Sequence, residues 1–164
     1  MTDNGPTLAQ VGEFGVIDRI VADRAQPAAV TLGPGDDAAV IAGVTAVSTD
    51  MLVQDRHFRL DWSTPHDVGR KPIAQNAADI EAMGGRPYAF VVGFGAPAHT
   101  EAADAQRLSD GMWSEATKFG AGIVGGDLVA APQWVVSVTV LGDLGGRAPV
   151  LLSGAQPGDT VAVI

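Results

Sequence analysis

Apolar runs of strand length alternate with stretches of helical spacing along this chain, which reads it as a mixed α and β domain. Ala38 to Ile41 and Thr45 to Val53 are rich in β-branched residues and are separated by Gly43, so they read as two neighbouring strands joined by a turn. Further strands are expected at 88–94, 121–125 and 134–142, and a last one over the TVAVI at 160–164. Phe14, Ile17, Ile20 and Val21 fall at helical spacing and predict an amphipathic helix over 12–24. A second helix starts at Thr64-Pro65, with a hydroxyl N-cap, proline at the first position and Asp67 in the first turn, and runs to Met83 before Gly84-Gly85 stops it. Pro72 interrupts its pattern. A proline inside a helix removes one backbone hydrogen bond and clashes with the preceding turn at about 3 kcal/mol, so a kink or an irregular first turn is expected. A third helix is expected from Thr100 to Phe119, closed by Gly120.

The length of 164 residues is one domain's worth, and an apolar share of 46% is enough for a real core. Cysteine is absent, which removes disulfides, thiolate metal sites and cysteine nucleophiles together. The formal net charge of −9 argues against a nucleic-acid backbone or an anionic membrane as partner. Neither a signal peptide nor a transmembrane window is visible, so the expected location is cytoplasmic. An α/β domain seldom finishes on an exposed apolar strand, and TVAVI leads to the expectation that the chain is the N-terminal part of something longer.

Four short acidic motifs carry the chemistry: Gly-Asp-Asp at 35–37, Ser-Thr-Asp at 48–50, Asn-Ala-Ala-Asp at 76–79 and Gly-Gly-Asp at 125–127. Carboxylates beside glycine or a hydroxyl, each next to an apolar run, are what is needed to hold Mg²⁺ against the phosphates of a nucleotide. Each motif also has an ordinary explanation. Asp36 and Asp37 fit a glycine-rich turn equally well as acids aimed at a cation. Ser48, Thr49 and Asp50 follow the apolar Val44 to Val47, where hydroxyls and a carboxylate emerge together, but a strand terminus favours the same residues. Asp79 shares a helix face with Gln75, Asn76 and Met83 and is flanked by Ala77, Ala78 and Ile80. An acid on a face that is not evidently solvated is rare unless paired or bound to metal. Gly125-Gly126-Asp127 is read as a strand running into a glycine pair, a place where phosphate oxygens and a metal can meet backbone amides. The set carries more weight than any member.

His57, seven residues beyond Asp50, suits an anionic or aromatic substrate group, or else is a partly buried histidine satisfied by backbone. His66 and His99 stand at helix entries and read as structural or solvated, and Trp62, Trp113 and Trp134 as core or interface. No Walker-type loop and no Gly-x-Gly-x-x-Gly after a strand is present, and a nucleophilic triad is unsupported.

The series GPGDDAAV (33–40), STDMLVQDRHF (48–58), NAADIEAMGG (76–85), IVGGDLVAAP (123–132) and LLSGAQPGDTVAVI (151–164) resembles the N-terminal domain of the thiamine-monophosphate kinases, in the superfamily of aminoimidazole ribonucleotide synthetase. The resemblance covers essentially the whole chain. It implies an α+β fold: a four-stranded mixed sheet with helices packed on one face, pairing with a second copy into a dimeric barrel, for which Trp134–Leu141 is the expected edge. It divides the chain into an ATP- and Mg²⁺-binding and dimerisation domain over 1–150 and the start of a C-terminal domain over 151–164.

The implied activity is ATP-dependent phosphorylation of thiamine monophosphate to thiamine diphosphate, by direct in-line transfer with several Mg²⁺ ions. By the same resemblance Asp37 bridges metals, Ser48 and Thr49 complete metal shells, Asp50 and Asp79 each bridge ions, and Asp127 holds one beside the ATP phosphates. Gly126 offers its backbone to ATP, Phe119 falls near the nucleotide, and His57 contacts the thiamine phosphate. Leu152 stands where relatives carry an ATP-reaching arginine, with Arg147 nearby but displaced. Because the family's C-terminal domain supplies further ligands, the 164 residues alone are expected to show little or no kinase activity. Two other readings remain: a dimerising Mg²⁺-nucleotide-binding module without chemistry, and a sister synthetase using the same metal cradle.

Overall fold

The computed structural model describes residues 30–32, 36–42 and 45–162, so the helix expected over 12–24, the glycines Gly33 and Gly35 and the last two residues of TVAVI lie outside the described residues. Six strands form one mixed sheet: β1 (Val30–Leu32), β2 (Ala39–Ile41), β3 (Thr45–Val53), β4 (Arg86–Ala96), β5 (Gly122–Ala130) and β6 (Val135–Asp143). Their order is β1-β2-β3-β6-β4-β5, with β4 and β5 parallel and every other neighbouring pair antiparallel. The expected sheet of four strands is thus corrected to six. Four long strands make its body, and the three-residue β1 and β2 extend it beyond β3.

Helices α1 (Pro65–Ala82) and α2 (Ala102–Ala116) complete the described elements, with short 3₁₀ turns at Thr117–Phe119 and Leu152–Gly154. Thr64 caps α1 through a capping box with Asp67, as the sequence signals. Pro72 is buried within α1, which continues through it, and Asn76 Nδ2 donates to the Pro72 carbonyl at 2.8 Å. Gly120, with φ of 69°, closes the turn after α2.

Alternation along the strands puts one face of the sheet under the helices. Ala46, Leu52, Phe90, Phe94, Val136, Val138 and Val140 lie buried there, together with Val68, Ile73, Ala77 and Ile80 of α1 and Leu108 and Met112 of α2. The two helices approach through glycine: a Cβ on Gly69 would overlap the Leu108 carbonyl, and one on Gly111 the His66 carbonyl. Trp134 packs edge-on against Phe94 at 5.0 Å, as a core residue, whereas Trp62 and Trp113 are exposed.

Three expectations change. Strand β6 lies between β3 and β4, so it is central and β5 is the edge, because β6 pairs along its whole length on both sides. Residues 160–162 form no strand, having no partner in the sheet. The Ser-Thr-Asp and Gly-Gly-Asp motifs sit inside β3 and β5 rather than at strand ends. Among the described residues no helix is long and apolar enough to cross a membrane.

Candidate functional site

Ser48 and Asp50 alternate with Thr49 along β3, and the alternation decides what each side chain can reach. Ser48 pairs with Val140 and Asp50 with Val138, both buried beneath the helices, so Ser48 and Asp50 face α1. Ser48 Oγ donates to Asp79 Oδ2 at 2.7 Å, and Gln75 Nε2 donates to Asp50 Oδ2 at 2.5 Å. Thr49 points to the other face, where its hydroxyl meets the Val138 carbonyl at 3.0 Å and Thr139 Oγ1 at 3.1 Å.

Asp79 is half-buried, and burial pushes its carboxyl above the usual carboxylate range; the charges of Asp50 and Asp37 push the same way, against the hydrogen bond from Ser48. Asp37 therefore belongs to this group although it comes from the turn before β2. Its neighbour Asp36 is used differently: Oδ1 accepts from the Asp37 amide at 2.9 Å and Oδ2 from the Leu152 amide at 3.2 Å. The two adjacent acids thus divide between pinning the turn and facing the site.

The donors here are carboxylate and hydroxyl oxygens, which suit a hard divalent cation, and mutually repelling half-buried acids are what such a cation relieves. The residues present fit Mg²⁺ in that sense. Among the described residues no three acidic or histidine side chains converge closely enough to hold an ion by themselves. A complete shell therefore draws on Ser48 and on oxygens from water or ligand.

Gly126 and Asp127 lie elsewhere. Asp50, Val138, Val92 and Gly126 share one row across β3, β6, β4 and β5, so the Gly-Gly-Asp motif is three strand spacings from Asp50, roughly 14 Å at about 4.8 Å each. Asp127 pairs with Gly93 and by register faces away from the helices, beside a cavity of 330 Å³ lined also by Val91, Ser137 and Thr139. Its Oδ1 accepts from the Leu128 amide at 2.9 Å. A Cβ at Gly126 would overlap the Val92 carbonyl, so close strand approach alone calls for glycine there. On the helix side, Gly126 borders a larger cavity of 530 Å³ between β5 and α2, walled by Leu108, Ser109, Met112 and Ile123. Phe119 is partly buried against the core and does not line it.

His57 sits in a tight turn after β3, where Asp55 adopts φ of 61° and the His57 amide donates to the Val53 carbonyl at 2.9 Å. The Val53 amide donates in return to His57 Nδ1 at 3.0 Å. The ring borders a cavity of 430 Å³ with Arg56, Arg59, Trp62 and Lys71. Arg59 pairs with Asp61 and lies 4.3 Å over the Trp62 ring. Arg147 is occupied locally, donating to the Gly84 and Leu144 carbonyls.

The sequence reading missed Lys71, whose Nζ donates to the His57 carbonyl at 2.5 Å. Lys71, Gln75 and Asp79 recur every four residues along α1 and touch His57, Asp50 and Ser48 in turn. That four-residue spacing was the available signal.

Residues 35–144 match the family of AIR synthase related protein, N-terminal domain, and the chain belongs to that family. It is 70% identical over 167 residues to the thiamine-monophosphate kinase of Mycobacterium tuberculosis, covering 100% of this chain and 50% of that protein. The thiamine-monophosphate kinase of Corynebacterium glutamicum is 44% identical over 164 residues, covering 96% of this chain and 48% of that one. The chain spans about half the length of the curated relatives it matches. Among solved structures, AaThiL complexed with AMPPCP and TMP superposes with a TM-score of 0.77 at 26% identity, over 86% of this chain and 45% of that one.

Proposed function

We propose that this chain is the nucleotide- and Mg²⁺-binding part of an enzyme that uses ATP to phosphorylate thiamine monophosphate to thiamine diphosphate. The observation that carries the reading is the gathering of Asp37, Ser48, Asp50 and Asp79 where β2, β3 and α1 meet, in a chain 70% identical to a thiamine-monophosphate kinase. AaThiL, of similar fold, is complexed with AMPPCP, an ATP analogue, and TMP. Mg²⁺, when bound, neutralises phosphate charge and polarises the transferring group. The chain's own part is positioning. Asp37, Asp50 and Asp79 present carboxylate oxygens from one side, Ser48 holds Asp79 in rotamer, and Thr49 contributes through its backbone, since its hydroxyl faces away. Gly126 and Asp127 serve the nucleotide from the β5 edge of the sheet, and His57 contacts the acceptor phosphate. Transfer between two ligands so held needs little more than alignment and charge neutralisation.

We further propose that two copies pair through the face of the sheet opposite the helices, where Val47, Met51, Val91 and Leu141 are left partly or fully exposed. Calorimetric titration of the protein with AMPPCP, with and without Mg²⁺, tests the central reading. Mg²⁺-dependent binding that Asp50→Asn removes is the expected result; binding of equal strength without Mg²⁺ would overturn it.

A further inference from the structure

The 430 Å³ cavity at the end of β3 is bordered by Arg56, Arg59 and Lys71 around the His57 ring, with the carboxylates of Asp55 and Asp67 also in its lining. One bond holds that ring and a second holds its backbone. The Val53 amide donates to Nδ1 at 3.0 Å, so in the neutral imidazole the proton resides on Nε2, the nitrogen that bond leaves free. Lys71 Nζ donates to the His57 carbonyl at 2.5 Å and ties the turn onto α1. The tie adds to the turn's own backbone bonds, from the Asp55 amide to the Phe58 carbonyl and from the Arg56 and His57 amides to the Val53 carbonyl, around Asp55 in its left-handed conformation. Arg59 is engaged by Asp61, so its charge is largely spoken for.

We propose that Lys71 is a positioning residue that locks His57 as an Nε2–H donor toward an anionic group, a phosphate monoester, entering this cavity. The inference rests on the reading of His57 as the acceptor contact. It adds that the ring is oriented before substrate arrives, so that no rotamer or tautomer has to be selected on binding. Lys71 itself acts through the backbone of His57 and not on the reacting atoms. Its place in the α1 row next to Gln75, which holds Asp50, puts the acceptor contact and the acidic group on one rigid support.

Long-range ¹⁵N correlation of the imidazole nitrogens reads the lock directly, in wild type, Lys71→Met and Lys71→Arg, with thermal melting confirming that each variant is folded. Wild type is expected to carry its proton on Nε2 alone, Lys71→Met to show a tautomer mixture, and Lys71→Arg to restore the wild-type pattern. Titration with thiamine monophosphate should then weaken in Lys71→Met by about tenfold, by analogy with the lower end of the loss when the partner that orients a metal-bound histidine is removed. A wild-type ring protonated on Nδ1, or a Lys71→Met ring indistinguishable from wild type, would overturn the lock. His57→Ala binding thiamine monophosphate as wild type does, or wild type failing to bind it, would count against the acceptor reading alone, while the nitrogen spectrum still decides the lock.

Discussion

The β3–α1 seam and the Gly-Gly-Asp segment of β5 are both acidic motifs on strands of one sheet, yet they are built differently. On the seam each acid has a named restraint: Ser48 on Asp79, Gln75 on Asp50, and the Asp36 turn behind Asp37. Asp79 is half-buried, and burial first, with the nearby Asp50 and Asp37 adding to it, raises its carboxyl. Asp127 lies on an exposed edge strand, bonded only to the next amide, and faces away from the helices. The difference teaches that motifs spaced alike in sequence can be unlike in readiness. One is organised without ligand, and the other is a surface that a ligand or a second copy has to complete.

The largest expected effect separates the two directly. Asp50→Asn should abolish Mg²⁺-dependent nucleotide binding, and Asp79→Asn should do the same, whereas Asp127→Asn should weaken the nucleotide while leaving Mg²⁺ binding by the seam intact. Calorimetry with Mg²⁺ alone and then with AMPPCP distinguishes the cases. Loss of Mg²⁺ binding in Asp127→Asn would show that the two regions act as one site and break the comparison.

Within β5 itself the two glycines should differ. Gly126→Ala drives a methyl into the Val92 carbonyl and should cost about 1–3 kcal/mol by overpacking, read as a lowered denaturant midpoint. Gly125→Ala meets nothing within 4 Å and should be neutral or slightly stabilising. Equal effects would mean that the edge strand is not held against β4 as described.

A comparable strut away from both regions offers a control. Glu115 of α2 is buried and accepts from Arg70 of α1 at 2.7 Å and from Lys118 at 2.8 Å. Burial raises its carboxyl, but the two cation bonds outweigh this and hold it below the usual glutamate value. A depressed acid contributes stability that is present above its unfolded value and lost as pH falls through its folded one. Glu115→Gln should therefore cost about 1–2 kcal/mol at neutral pH and less in acid, as measured by denaturation across pH, without changing Mg²⁺ binding.

Much of this fold is legible in the residues, because the signals are local. Thr64-Pro65 and Gly84 bracket α1, and the β-branched run fixes β3. What was not legible depends on pairing. Nothing in the Val135–Asp143 segment says that it lies between β3 and β4, and nothing in Gly125-Gly126-Asp127 says that β4 will draw it into a strand. The division of labour between Asp36 and Asp37 hinges on an amide 116 positions away, at Leu152. Thr49 and Lys71 are different. Period-two alternation already separates Thr49 from Ser48 and Asp50, and four-residue spacing already joins Lys71 to Gln75 and Asp79, so those two were available to a stricter reading.

The smallest effect is the most diagnostic of how the seam is poised. Asp79 has its carboxyl raised by burial first and by Asp50 and Asp37 after it. A raised acid binds its proton more tightly folded than unfolded, so the fold gains nothing from it above that range: stability falls as pH rises from the ordinary aspartate value through the raised one. Asp79→Asn removes this penalty and should slightly stabilise the metal-free chain at neutral pH, with the gain disappearing in acid where Asp79 is already neutral. Saturating Mg²⁺ should reverse the order, stabilising wild type by mass action and leaving the variant unmoved. Melting curves at two pH values with and without Mg²⁺ check both halves. A variant less stable than wild type without metal at neutral pH would mean that the Ser48 bond outweighs the charge repulsion, and that the seam is a structural strut in place of a site waiting for a cation.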